Sequence, residues 1–255
     1  MSADAIETNR EHYIYIYDGS FEGFLSVVFE AWKISPSIIE IKAGENSSPG
    51  FFDKDIYIIT DITKTARVLK WMRETLPLET TERIYDYFAS EDEGCEKRIY
   101  LYLRACHKLG RWVDSFLTEE CVADFLRAEK HFNNEHHRMR GFTRFSVLKG
   151  GVMYAEIETD FNQLQRLARF FLDRMPGNRF MIYDSKRHKA VICDGYRWGV
   201  MENITPQSIE EQKDDSFEKL WRTYLKAVTI EERKNHKLQK QLMPLKYRKN
   251  ITEFQ

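Results

Sequence analysis

The hydrophobic period of this chain changes at Gly141, and that change limits the folds open to it. From about residue 60 to residue 140, apolar side chains recur at helical spacing. Ile99, Tyr102, Leu103, Cys106 and Leu109 form one such stripe, and Gly110 stands where a helix would stop. Val122, Phe125, Leu126 and Phe132 form the next, in a helix whose first turn carries Glu119 and Glu120. After Gly141 the apolar runs are short. Phe142 to Leu148 and Val152 to Glu158 read as strands around a Lys149-Gly150-Gly151 turn. A helix follows with Leu164, Leu167, Ala168 and Phe171 on one stripe and Asp160 and Gln163 as its capping pair. Phe180 to Tyr183 and Ala190 to Cys193 then make a second hairpin. The expectation is an α+β fold. A mainly helical N-terminal region covers 1–140, a ββαββ antiparallel-sheet module covers 141–205, and a helical basic C-terminal extension covers 206–255; the alternative is one continuous domain.

The N-terminal region also holds short strand-like runs at Tyr13 to Tyr17, Ser37 to Lys42 and Ile56 to Thr60. Ser20 is placed to cap a helix with Phe21, Phe24, Leu25, Val28, Phe29 and Trp32 on one face. Asp61 is placed to cap another, with Ile62, Ala66, Leu69, Met72 and Leu76 inward. Thr80 or Thr81 is expected to start a third, with Ile84, Tyr85 and Phe88 inward. Near the C-terminus, Gln207 to Asp215 reads as a polar linker and Phe217 to Val228 as a helix.

Net charge is −1, which excludes a generally basic nucleic-acid coat. Any phosphate contact must come from local patches. One is visible: no acid falls between Glu135 and Glu156, whereas Arg138, Arg140, Arg144 and Lys149 do. Lys186 and Arg187, beside Asp184, extend the same chemistry, as does the acid-free run from Arg233 to Lys249. Arginine forks match phosphate oxygens, and Phe142, Phe145 or Tyr183 would stack on bases if exposed. The plainer reading puts those aromatics in the core and the arginines in water. Strand ends gather along common sheet edges, so Asp184, Lys186 and Arg187 are expected near Glu135 and Arg138. Glu135 and Arg138, at i and i+3, are positioned to pair.

Other chemistries find little support. His131 and Glu135 make an i, i+4 edge without the further ligands a metal needs, so no metal site is assigned. Cys95, Cys106, Cys121 and Cys193 lack zinc or iron–sulfur spacing. There is no G-x-S-x-G and no phosphate-cradling glycine signature. No signal peptide or membrane-length apolar run is present, so no membrane association is expected and a cytoplasmic location is.

Several segments together resemble the DUF4130 family of DNA metabolism proteins. Near the N-terminus these are Tyr15-Ile16-Tyr17-Asp18-Gly19-Ser20-Phe21-Glu22-Gly23-Phe24-Leu25. In the centre they are Glu135, His137, Arg138, Met139, Gly141, Phe142, Arg144 and Phe145, then Tyr154-Ala155. Downstream they are Arg174, Asp184, Lys186, Arg187, Trp221, Tyr224, Met243-Pro244 and Tyr247. Phe170-Phe171 stands where the family pattern has His-Phe, and Tyr247-Arg248 where it has Tyr-Trp. The resemblance implies an accessory protein of DNA repair or modification, binding DNA or docking a radical SAM partner. That partner would hold the iron–sulfur cluster and SAM, with no cofactor in this chain. A uracil-DNA glycosylase-like domain is a second partner the family implies. The alternatives are an enzyme acting on a nucleotide or damaged base through Glu135, His137 and Asp184, and a protein-binding scaffold.

Overall fold

The structure, a computed structural model, describes residues 12–34, 39–44, 53–148, 151–204 and 235–251. It divides into two compact units, Met1–Lys130 and His131–Gln255. The division falls within a long helix. The expected linker at Gln207 to Asp215 and helix at Phe217 to Val228 lie outside the described residues.

The first unit is built on three parallel strands, β1 (His12–Tyr17), β2 (Ile39–Ala43) and β3 (Asp53–Tyr57), in the order β2-β1-β3. Ile14 to Tyr17 are all buried, as expected of a central parallel strand covered on both faces. Helix α1 (Phe21–Ala31) starts at Ser20, whose hydroxyl accepts from the Gly23 amide at 2.9 Å. Asp18 accepts from Ser20 Oγ and Thr60 Oγ1, both at 2.6 Å, which ties the ends of β1 and β3 together. Gly23 is needed there, because a Cβ would meet Asp18 Oδ1 at 2.2 Å.

Helix α2 (Ile62–Thr75) is capped by Asp61 and buries Met72 as expected, with Leu76 buried just behind it, but its other buried positions are Thr65 and Val68. Ile62 is exposed. The Thr65 hydroxyl donates to the Glu22 carbonyl at 2.8 Å and lies 3.2 Å from Ser26 Oγ, which turns that edge towards α1. Helix α3 (Leu78–Phe88) begins behind Pro77, ahead of both threonines, because the Pro77 carbonyl already accepts from the Thr80 and Thr81 amides. It buries Ile84 and Tyr87, leaving Tyr85 exposed. Helix α4 (Cys95–Leu109) stops at Gly110, whose φ of 69° a glycine adopts without strain.

Helix α5 (Glu120–Phe142) continues through Gly141, so the strand expected from Phe142 shrinks to β4 (Ser146–Val147). Gly141 does not have a positive φ, and its backbone stays helical. The second unit then runs β5 (Met153–Ile157), α6 (Leu164–Arg174), β6 (Phe180–Asp184), β7 (Lys189–Cys193), β8 (Trp198–Met201) and α7 (His236–Leu242), ending in a 3-10 turn over Leu245–Asn250.

Its sheet has the order β4-β5-β6-β7-β8 and is mixed, not antiparallel. Strands β5 and β6 are parallel, with Met153 opposite Phe180 and Ile157 opposite Asp184, and the other pairs are antiparallel. Helix α6 is the reason: it carries the chain back before β6 begins, so β6 enters in the direction of β5. The expected α6 stripe is buried, together with Met139, Ile157, Phe180, Ile182 and Val191. Each fully buried Leu, Ile or Phe contributes about 1.5–3 kcal/mol. Tyr247 and Ile251 complete this core. The C-terminal turn thus packs into the core of the second unit.

Candidate anion-binding site

The connection from β5 to α6, Thr159 to Gln163, is the point on which the second unit's polar groups converge. Glu135 reaches it from α5 and is only 3% exposed. Its Oε1 accepts from the Asp160 amide and from Tyr247 Oη, both at 2.9 Å. Its Oε2 accepts from the Phe161 amide at 3.0 Å and from Gln163 Nε2 at 3.3 Å. A carboxylate accepting four hydrogen bonds inside the protein is a brace for the backbone it holds. Burial, followed by the Glu135 charge, raises the Tyr247 pKa, so the phenol stays a donor. These contacts also replace the expected Asp160–Gln163 capping pair: no side chain caps α6 from Gln163, and the Leu164 amide donates to Asn162 Oδ1.

Asp184 approaches the same connection from the end of β6 and is fully buried. Its Oδ1 accepts from the Lys186 and Arg187 amides at 3.0 and 3.3 Å, closing the turn into β7. Its Oδ2 takes Arg187 Nη1 at 2.9 Å. The Arg187 fork then reaches the Thr159 and Asp160 carbonyls, at 3.1 and 2.6 Å. Glu135 and Asp184 thus meet through one loop, as the topology implied, with Glu135 holding its amides and Arg187 its carbonyls.

The other expected members are elsewhere. Arg138 is exposed and is not among the partners of Glu135 described above. His137 is exposed, two residues along the helix and so about 200° round it from Glu135. Lys186 is exposed, and Arg187 is spent on the brace. Arg144 folds back on the Gly141 and Thr143 carbonyls at 2.6 and 3.4 Å, at the end of α5. Lys149 lies outside the described residues. Arg138 and Arg140 cannot form one seam, because they too stand about 200° apart on the helix.

The structure instead gathers Arg140 with two arginines the sequence reading did not single out. Arg140 lies over the Phe170 ring at 4.1 Å. Arg166 lies over Phe132 at 4.8 Å and donates to Asn133 Oδ1 at 2.7 Å. Arg169 sits one turn further along α6. Between the two helices is His136, with Nδ1 buried and without a hydrogen-bond partner among the described residues. Burial, then Arg166 and Arg140, lowers its pKa to about 4, with Arg169 adding to the shift and Gln163 opposing it. Gln163 Oε1, also buried, is the group that opposes the shift, close enough to interact with His136 but without good hydrogen-bond geometry. Three guanidinium groups around a neutral imidazole form a surface that an anion would stabilise, through charge-assisted forks. The sequence signal was present in Arg166 and Arg169 at i, i+3 on the polar side of α6. Pairing them with Arg140 required knowing that α6 lies along α5.

Thiol and metal chemistry have weak footing. Cys95, Cys106 and Cys193 are buried and Cys121 is half-buried, all of them free thiols. Burial raises Cys106 to about 12 and also pushes Cys95 up, which disfavours the reactive thiolate. Among the described residues no three His, Cys, Asp or Glu side chains converge as metal ligands. No helix among them is long and apolar enough to cross a membrane.

The second unit is thus an α+β frame with a braced interior and an arginine-bearing flank. Residues 93–253 match the family model described as a domain of unknown function, DUF4130, and the chain belongs to that family. No curated protein matches it.

Proposed function

We propose that this chain is an accessory protein of DNA repair or modification that contacts DNA phosphates through the α5–α6 flank. The observation that carries this reading is that Arg140 of α5 lies over Phe170 of α6 and Arg166 of α6 over Phe132 of α5, with Arg169 one turn beyond Arg166. Arg138 and Lys186, both exposed, would add outlying phosphate contacts. The family resemblance supports DNA as the polyanion, and a radical SAM protein as the partner carrying the iron–sulfur cluster and SAM. The enzyme reading has less support, because Glu135 and Asp184 are committed to the backbone they hold and His137 stands apart from both.

The test is DNA binding by the full chain at several salt concentrations, with Arg140→Ala and Arg169→Ala combined. The wild type should lose affinity steeply with salt, and the double variant should show a slope smaller by roughly one to two, since each phosphate contact releases counterions. Equal affinity for the double variant at low salt would refute this surface. Co-purification with a radical SAM protein from the same genome tests the partner separately. Partner binding without DNA affinity would favour the scaffold.

A further inference from the structure

The first unit contains a cleft of about 650 Å³ that the DNA reading does not use. It opens between the end of α1, the middle of α2 and the end of α4. Val28 and Val68, both buried, form its floor. Its wall is aromatic: Trp32 and Trp71 have ring centroids 6.1 Å apart, and His107 lies 5.3 Å from the first and 5.7 Å from the second. Both indoles are only partly buried and the imidazole is exposed, so the cluster is not closed core.

The Trp32 side of this wall is anchored. Arg104 Nη1 donates to the Trp32 and Ile34 carbonyls at 3.0 and 2.9 Å and to Tyr100 Oη at 2.9 Å. Its guanidinium lies 5.4 Å from the Trp32 ring centroid. The turn carrying Trp32 is therefore fixed before any ligand arrives. Pre-formed sites of this kind avoid the ordering cost that a mobile aromatic would incur.

The rim decides the ligand's charge. Lys33 and Arg67 are exposed at the mouth, with Arg67 over the Phe29 ring at 4.8 Å. Glu30, the acid of the lining, is taken up by Lys64 at 2.5 Å. A net positive rim over a rigid aromatic wall suits a flat aromatic group with an anionic tail. The volume is in the range, about 300–1,000 Å³, typical of small-ligand sites.

We infer that this cleft binds a nucleotide, its base against Trp71 and Trp32 and its phosphate at Lys33 and Arg67. Stacking on aromatic side chains accepts any base, so the site selects the class and not the sequence. The ligand is either a free nucleotide or an unpaired base of a strand, and both present the same chemistry. This inference stands apart from the α5–α6 surface and does not require it.

The experiment is titration of the full chain by intrinsic tryptophan fluorescence, using deoxyadenosine monophosphate, deoxyadenosine, inorganic phosphate and a short single-stranded oligo(dA). Saturable quenching by the monophosphate or the oligonucleotide is expected. Tighter binding of the oligonucleotide identifies a strand, and equal or tighter binding of the monophosphate identifies a free nucleotide. Trp71→Ala should weaken binding by roughly tenfold or more, the scale of one lost base stack. Arg67→Ala, a surface change that spares the fold, should weaken the monophosphate by about tenfold and leave deoxyadenosine unaffected, as loss of a charged hydrogen bond implies. The Arg140→Ala, Arg169→Ala protein should bind nucleotide normally, so the two readings fail separately. No saturable quenching by either nucleotide probe would overturn the inference. So would unchanged affinity in both cleft variants, or competition by inorganic phosphate as strong as by the monophosphate.

Discussion

Replacing Glu135 with alanine tests whether that carboxylate is a brace or a reagent. The side chain accepts from the Asp160 and Phe161 amides, Gln163 Nε2 and Tyr247 Oη. A hydrogen bond to a charged group contributes roughly 1.5–3 kcal/mol, and a buried donor left unpaired costs about 1–3 kcal/mol. Four such donors cannot simply be summed, because water can enter the space vacated by the side chain and the bonds share one acceptor group. A loss of about 3–5 kcal/mol is the reasonable scale, matching that for breaking a buried charged contact. For a unit of this size that lowers the melting temperature by roughly 10–20 °C. Tyr247→Phe removes only one donor and should cost about 1–1.5 kcal/mol. In the double variant the two losses should not add, since the tyrosine bond is already gone when Glu135 is removed. The assay is urea unfolding of the three variants with DNA binding measured alongside. If Glu135→Ala kept its stability within about 0.5 kcal/mol, the range of surface substitutions, the brace would be refuted.

Three further outcomes follow from the same structure. Asp184→Ala leaves Arg187 without its buried partner and should cost about 3–5 kcal/mol by denaturant unfolding, more than Lys186→Ala at the exposed neighbouring position. His136 has a folded pKa of about 4 against 6.5 for an ordinary histidine, so the unfolded chain takes up the proton first. Stability is therefore present above pH 6.5 and lost as pH falls towards 4, by up to about 3 kcal/mol on the full shift and about 1–2 after discounting partial exposure; His136→Gln should flatten that part of the pH–stability curve. Gly195→Ala places a Cβ 2.8 Å from the Gly177 carbonyl at a φ of +103°, and should lower stability by more than about 1 kcal/mol in thermal unfolding.

The sequence by itself located most of the regular structure, though not the true end of α5 or strand β8. Ser20, Asp61 and Gly110 act as the stops and starts their chemistry implies, and the Leu164, Leu167, Ala168, Phe171 stripe is buried as its spacing requires. These are local properties, fixed by capping hydrogen bonds, by φ and by helical period. Strand direction was not legible, because a parallel and an antiparallel β6 carry the same apolar run. Only the path of α6 distinguishes them. The candidate site was partly legible for the same reason. Glu135, Asp184 and Arg187 stood out as charged residues near element ends, and they do converge on one loop. Whether each would be a brace or an exposed reagent depended on burial, which tertiary packing sets. The arginine cluster and the aromatic cleft each draw side chains from different helices. Charge and aromaticity can be read along a chain, but the distance between two helices exists only after both have packed.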